Sequence, residues 1–179
     1  EQLDQVLGEA IDTSRSLTAE LSPPVLYDAG LGPALHWLSR WMQEKHGLLV
    51  DVDAEDLHNV TPENIRAMLF QAARELLFNV VKHAGVNRAT VRLRRLAGDE
   101  LELVVTDQGA GFDPEKVGRA EEGGFGLFSI QERLEMVGGR MDVQSAPGQG
   151  TRVTLRVPMY PMAVEAATVA AEEAAGRLT

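Results

Sequence analysis

The sequence contains no cysteine among its 179 residues, which excludes disulfides, zinc–thiolate sites and thiol catalysis. Basic residues are also scarce, because 17 Lys and Arg stand against 27 Asp and Glu and leave a formal net charge of −10 at pH 7. A nucleic-acid-binding protein needs a basic face that displaces counterions from phosphates, so this balance argues against nucleic acid as a partner. It argues equally against direct contact of a polybasic surface with a membrane.

Long hydrophobic runs are missing as well. No apolar stretch approaches the roughly 18–20 residues that span a bilayer, and no signal peptide opens the chain. The composition is otherwise globular, since 44% hydrophobic residues supply the apolar area that offsets chain entropy. The length allows one domain, or one domain with an appendage. The first residue is Glu1, and we expect the chain to be part of a longer cytoplasmic protein.

The amino-terminal quarter predicts two helices and a strand. Apolar residues at spacings of three and four predict a first helix from Leu3 to Leu21, which Ser22-Pro23-Pro24 ends because proline lacks the N–H donor. A second helical pattern covers residues 31–42. The alternation of apolar and polar residues over 48–52 then predicts a short strand.

A third and longer helix is predicted to begin at Thr61-Pro62-Glu63. Thr61 is the expected hydroxyl cap, Pro62 takes the first helical position and Glu63 places an acid in the first turn. We expect this helix to run to about His83. Two alternating runs joined by Ala97-Gly98-Asp99 follow it and predict a β-hairpin.

The remainder of the sequence predicts a loop, a helix, two strands and a tail. Residues 107–124 carry glycines and acids without any period, and loops of that length inside a domain are usually functional. A helix ends at Gly138-Gly139, and two strands linked by 147–150 follow. The Ala/Glu-rich stretch from Ala163 onward is interpreted as a helical linker.

Three polar clusters are candidates for chemistry, and the first lies on the long helix. At roughly 100° per residue, Glu75, Asn79 and Lys82 fall along one line at the edge of the buried stripe. These three polar side chains can bind a ligand at the boundary between the buried face of the helix and solvent. A plain solvated helix face is the alternative, because charged helical edges are commonplace.

The other two clusters are rich in glycine. Asp107, Gly109 and Gly111 follow a strand directly, where a carboxylate can accept a hydrogen bond from an amine such as that of adenine; a plain turn is the alternative. Gly123-Gly124-Phe125-Gly126-Leu127 precedes a helix and offers N–H donors to an anion; a flexible hinge is the alternative. This last segment matches neither the P-loop nor the dinucleotide fingerprint.

The order and spacing of these clusters resemble the GHKL ATPase superfamily, which includes histidine kinases, gyrase, the ninety-kilodalton heat-shock chaperones and mismatch-repair ATPases. The resemblance covers about residues 46–158 and assigns the clusters to an asparagine box and two glycine boxes. Within the superfamily, residues 79–84 and 148–158 are similar to sensor histidine kinases. Residues 15–26 resemble the second dimerisation helix of the branch that pairs with helix-turn-helix response regulators.

The resemblance implies an α+β fold. Its architecture is a two-layer α/β sandwich of the Bergerat or GHKL ATPase type, with a mixed, mostly antiparallel sheet packed under about three helices and preceded by a long dimerisation-type helix. It also implies three parts. Residues 1–45 are a partial dimerisation and phosphotransfer region, residues 46–160 the ATP-binding catalytic domain, and residues 161–179 a tail or linker.

The implied activity is that of a protein histidine kinase in a two-component system. The domain transfers the γ-phosphate of ATP to a histidine on an upstream helix, for relay to an aspartate of a response regulator. The implied cofactors are ATP and Mg²⁺, and the implied partners are ATP or ADP and a response regulator of the helix-turn-helix type. The full-length protein is then a homodimer, cytoplasmic or anchored to a membrane through upstream segments.

The resemblance also assigns roles to single residues. Glu75 becomes the general base, Asn79 the Mg²⁺ ligand and Lys82 a phosphate contact. Asp107 binds the adenine amine, and Thr151 supports it through water. The other nucleotide-binding residues that the resemblance implies are His83, Gly109, Gly111, Gly124, Gly126 and Leu127. An acidic chain that binds a polyphosphate in this way is expected to depend strongly on Mg²⁺.

We expect the phosphoacceptor histidine to lie outside this chain. In the branch it resembles, the acceptor is typically followed by Asp or Glu, and none of the four histidines here is, namely His36, His46, His58 and His83. We therefore expect this chain to bind ATP without autophosphorylating. An anti-sigma-factor serine kinase of the same fold is the alternative function, and a catalytically silent nucleotide-gated scaffold is a third.

Overall fold

The structure is a computed structural model that describes residues 23–57, 61–114 and 125–160. The helix predicted from Leu3 to Leu21, the tail 161–179 and most of the loop before residue 125 lie outside the described residues. The described elements follow one another as α1 (Pro24–Asp28), α2 (Leu31–His46), β1 (Leu49–Ala54), α3 (Glu63–Asn79), a π-helical turn (Val80–Ala84), β2 (Arg88–Leu96), β3 (Glu100–Asp107), α4 (Phe125–Glu135), β4 (Arg140–Ser145) and β5 (Thr151–Pro158).

The five strands form one mixed sheet in the order β1-β2-β3-β5-β4. The β1 strand runs parallel to β2, and the other three pairings are antiparallel. The β2–β3 hairpin turns at Ala97-Gly98-Asp99, where Gly98 and Asp99 both have positive φ angles of 80° and 55°. The predicted mixed, mostly antiparallel sheet and its hairpin are therefore confirmed.

The helices cover one face of this sheet, which makes the two-layer α+β sandwich. Alternate strand residues point toward the helices, because side chains in a strand alternate between faces. Helix α2 contacts β1 and α3, α3 contacts β3, and α4 contacts α3 and β4. The strand residues that join the shared core include Val50, Val91, Leu93, Leu101, Leu103, Val105, Val153, Leu155 and Val157. None of the described helices is both long and apolar enough to cross a membrane.

Helices α1 and α2 belong to the same core as the sheet. Leu35 and Leu38 of α2 are buried against β1 and α3, together with Met42 one turn further on. Leu26 of α1 is also fully buried in this cluster. The described residues before the proposed boundary at residue 46 therefore pack as part of the sheet domain, and the division of the chain into domains stays a prediction.

Helix α3 differs from the sequence-based prediction at both ends. Pro62 occupies the N-cap without a side-chain hydrogen bond, and the Thr61 hydroxyl instead donates to the Leu57 carbonyl at 3.0 Å. The predicted hydroxyl cap is therefore wrong, because Thr61 lies one position too early and bonds backward. The α-helical part ends at Asn79 rather than near His83, and a π-helical turn continues to residue 84. Such turns are rare in proteins, and those that occur frequently lie at functional sites.

Candidate functional site

The carboxyl end of β3 meets the amino end of β5 at the first part of the candidate site. Asp107 is the last residue of β3, is 8% exposed, and pairs in register with Thr151. Its Oδ1 accepts a hydrogen bond from the Gly109 N–H at 2.8 Å, which closes an Asx-type turn. No other hydrogen bond to this carboxylate forms within the described part of the chain. Its second oxygen therefore forms no hydrogen bond with a described residue.

The glycine segment after Asp107 is held between two neighbouring turns. A Cβ at Gly109 would collide with the backbone of Ala84, at the end of the π-helical turn. A Cβ at Gly111, whose φ is 60°, would collide with the carbonyl of Ala146 in the β4–β5 turn. Only glycine fits both positions, because each backbone approaches closer than a side chain permits. The hydrogen bonds that tie the segment to both turns are Ala110 N–H to Ala84 O, Gly148 N–H to Ala110 O, and Gly150 N–H to Gly109 O.

Ser145, at the end of β4, joins the glycine segment to β5. Its Oγ accepts the Phe112 N–H at 2.9 Å and donates to the Gly150 carbonyl at 2.9 Å. It also lies 3.1 Å from the Thr151 hydroxyl, which is its register partner. Sequence analysis missed this residue, because a serine that ends a strand is common and gives no distinctive signal.

Asp107, Ser145 and Thr151 line an open cavity of about 420 Å³ at this end of the sheet. The β3, β4 and β5 strands and the β4–β5 turn all contribute to its lining. Its lining includes Asp107, Ser145, Ala146, Gln149, Gly150 and Thr151. The cavity therefore contains the predicted Asp107 and Thr151 together.

The α3 helix carries the second part of the candidate site. Glu75 and Asn79 are half-buried and lie one turn apart, so their side chains share a face. Neither side chain forms a hydrogen bond or an ion pair with any residue that the structure describes. A Cβ at Gly126, in the first turn of α4, would lie 2.5 Å from Glu75 Oε1. The carboxylate of Glu75 therefore faces the start of α4, where the glycine-rich loop ends.

Lys82 and His83 are exposed residues of the π-helical turn. The α-helical part ends at Asn79 and Lys82 lies on the π-helical turn, so the predicted single line of Glu75, Asn79 and Lys82 stays a prediction. The Lys82 ammonium lies 5.7 Å from the centroid of the Phe78 ring, on which it makes a cation–π contact. Lys82 therefore lies beside the site without an acidic partner among the described residues.

Two of the remaining predicted residues are described and one is not. Gly126 and Leu127 both lie in the first turn of α4, and Leu127 is half-buried against the core. Gly124 falls outside the described residues. The structure thus brings Glu75 and Gly126 into direct proximity, and separately gathers the two glycines after Asp107 with Thr151.

A mixed five-stranded sheet covered by helices on one face is the α+β architecture of the GHKL ATPases. Residues 64–161 match the family of histidine kinase-, DNA gyrase B- and HSP90-like ATPases, and the chain belongs to this family.

Two curated relatives carry histidine kinase names. An uncharacterized sensor-like histidine kinase of Chloroflexus aurantiacus is 36% identical over 88% of this chain and 28% of its own length. The oxygen sensor histidine kinase NreB of Staphylococcus carnosus is 31% identical over 88% of this chain and 45% of its own length. The chain therefore spans less than half the length of either relative. Their names confirm the predicted resemblance to sensor histidine kinases.

A solved structure agrees with this assignment at the level of the fold. The blue-light activated histidine kinase of Erythrobacter litoralis matches with a TM-score of 0.66 at 22% identity, over 84% of this chain and 50% of that one. At this identity the likeness concerns the fold alone. The predicted fold class is confirmed by it and by the family match.

Proposed function

We propose that this chain is the ATP-binding catalytic domain of a two-component sensor histidine kinase. It transfers the γ-phosphate of ATP to a histidine on a helix outside this chain, for relay to an aspartate of a response regulator. The observation that carries the proposal is the Asp107 carboxylate, which is almost buried, fixed through one oxygen by the Gly109 N–H, and paired in register with Thr151.

The nucleobase step depends on Asp107. A carboxylate is an acceptor only, so its second oxygen suits the exocyclic amine of adenine. The first oxygen already accepts the Gly109 N–H, which fixes the orientation of the carboxylate before any ligand arrives. Thr151 lies opposite on β5 and supports the same base through a water molecule.

Asn79 fits the metal that the family implies. Its amide forms no hydrogen bond within the described residues, and oxygen ligands of this kind suit Mg²⁺. Among the described residues no group of three or more His, Asp or Glu side chains could hold a metal, which suits an ion that takes most ligands from phosphates and waters. When bound, Mg²⁺ neutralises charge on the transferring phosphate.

Glu75 and Lys82 have separate proposed tasks in phosphoryl transfer. Glu75 accepts the proton of the attacking imidazole, which is general base catalysis. Lys82 contacts phosphate as a mobile point charge, moving from its position over Phe78. Transfer of this kind is mostly positioning and charge stabilisation, so few groups are needed. His83, Gly111, Gly124, Gly126 and Leu127 complete the proposed nucleotide contacts.

The wider assignment follows from the same proposal. The full-length protein is a homodimer in the cytoplasm or anchored to a membrane, and its partner is a helix-turn-helix response regulator. This chain does not autophosphorylate, since none of its histidines is followed by an acid. The anti-sigma-factor serine kinase is the weaker alternative, because both curated relatives are named histidine kinases.

Isothermal titration of ATP into the chain tests the nucleotide site. Asp107→Asn should weaken ATP binding about tenfold or more, because it replaces an acceptor with a group that also donates. Asp99→Asn is the matched control, since Asp99 lies in the hairpin turn at the opposite end of β3 and asparagine tolerates its positive φ. Unchanged ATP affinity in Asp107→Asn would remove the proposed adenine site.

A further inference from the structure

The hydroxyl of Ser145 is saturated by its neighbours, and this fixes the direction of one hydrogen bond. A serine hydroxyl has one hydrogen to donate and two lone pairs to accept with. Its hydrogen goes to the Gly150 carbonyl, because a carbonyl can only accept. One lone pair accepts the Phe112 N–H. The contact with the Thr151 hydroxyl at 3.1 Å must therefore have Thr151 as the donor.

The direction of that bond decides what Thr151 offers to a ligand. A threonine hydroxyl also has a single hydrogen, and here it is directed at Ser145. Only lone pairs of Thr151 remain for a ligand or for a bridging water. Asp107, its register partner, is likewise an acceptor through its second oxygen. The two residues therefore present acceptors side by side and no side-chain donor.

We infer that Ser145 is a specificity-determining residue that selects a 6-amino purine over a 6-oxo purine by holding Thr151 as a hydrogen-bond acceptor. The inference rests on the proposed nucleotide-binding function and deepens it. At C6 an amino group donates to these acceptors, whereas an oxo group places an acceptor against them. The N1–H of a 6-oxo purine is a donor, so the selection operates through the contact at C6. Sites that leave polar groups unpaired discriminate strongly against the wrong ligand.

Removal of the Ser145 hydroxyl should release this constraint. In Ser145→Ala the Thr151 hydroxyl loses its acceptor and can rotate to donate to an oxo group. Ser145→Thr keeps a hydroxyl at the same position and should restore the wild-type preference. A residue that only held the glycine segment in place would weaken both classes of nucleotide equally and leave their ratio unchanged.

The test measures dissociation constants for ATP and for inosine triphosphate, which carries an oxo group where ATP carries the amine. Wild type should prefer ATP, Ser145→Ala should lose about tenfold of that preference, and Ser145→Thr should retain it. Ser39→Ala is the matched control. It removes another serine hydroxyl that donates to a carbonyl, that of Val50 at 2.7 Å on the strand at the far edge of the sheet.

A second variant covers the case in which Ser145→Ala does not fold. Thr151→Val removes the Thr151 hydroxyl that Ser145 orients, with little change in shape, and it should also reduce the preference for ATP. If a folded Ser145→Ala or Thr151→Val variant keeps the wild-type ratio of dissociation constants for inosine triphosphate and ATP, the proposed role of Ser145 is wrong. The proposed function still stands in that case, as long as the wild type binds ATP. Failure of the wild type to bind ATP defeats the proposed function itself.

Discussion

At the scale of single residues, Gly126 and Glu75 are coupled by a close approach between α4 and α3. A Cβ at Gly126 would lie 2.5 Å from Glu75 Oε1 and 3.3 Å from its Cδ. The obstructing atoms are the far end of a flexible side chain rather than backbone. An added methyl group therefore displaces the carboxylate without breaking the helix packing, and the position of the proposed base depends on a glycine outside α3.

Gly126→Ala should slow phosphoryl transfer while leaving the fold intact. Alanine favours a helix over glycine by about 1 kcal/mol, so the melting temperature should stay the same or rise. Transfer in a full-length protein with the acceptor histidine should fall roughly tenfold to 100-fold, less than the roughly 10²–10⁴-fold that a positioned general base contributes, because the carboxylate is displaced and not removed. Ser129→Ala, at an exposed position of the same helix, is the control. A wild-type transfer rate in Gly126→Ala would separate Gly126 from Glu75.

Residues of this kind differ in how far the sequence reveals them. Asp107 and Gly109 were predictable because a carboxylate and glycines follow a strand in a recognisable spacing. Ser145 was not, since a serine that ends a strand is ordinary and its three bonds depend on the register of β4 against β5. The contact between Gly126 and Glu75 was also invisible, because it depends on how α4 approaches α3.

At the scale of elements, hydrophobic periodicity was enough to place most of the fold. Strand alternation located β2 and β3, and three-and-four spacing located α2 and α3. The π-helical turn after Asn79 was missed, because its local sequence continues the α-helical pattern. This turn is contacted by residues far away in sequence. Gly109 packs against Ala84, and the Ala110 N–H donates a hydrogen bond to the Ala84 carbonyl. Tertiary contacts of that range leave no local signal.

The packing of α1 and α2 predicts which shortened chain will fold. A chain of residues 46–160 lacks five large buried core side chains, namely Leu26, Leu31, Leu35, Leu38 and Met42. Each fully buried side chain of this type contributes about 1.5–3 kcal/mol, so the loss is comparable with the total stability of a domain. We expect residues 23–160 to unfold cooperatively in urea and residues 46–160 to show no cooperative transition. Equal unfolding midpoints for the two chains would support a domain boundary at residue 46.

At the scale of the whole molecule, the distribution of charge limits how the protein can hold a polyphosphate. On the sheet face that the helices do not cover, arginines form ion pairs with acidic residues. Arg88 lies 3.4 Å from Asp51, and Arg156 lies 2.7 Å from Glu102. Arg140 of β4 likewise pairs with Glu100 of β3, across the intervening strand β5. These cations are engaged on the face opposite the helices. Lys82, on the π-helical turn that follows Asn79, forms no ion pair with a described residue.

ATP binding should therefore depend strongly on Mg²⁺. A chain of formal charge −10 repels a polyanion unless the metal neutralises part of the phosphate charge, and a single exposed lysine is a weak substitute. We expect ATP affinity in chelator to be at least about tenfold lower than in Mg²⁺ at the same ionic strength. Asn79→Ala should shrink that difference, because it removes the proposed ligand, whereas Asn87→Ala should not. Equal affinity with and without Mg²⁺ in the wild type would contradict both the charge argument and the role of Asn79.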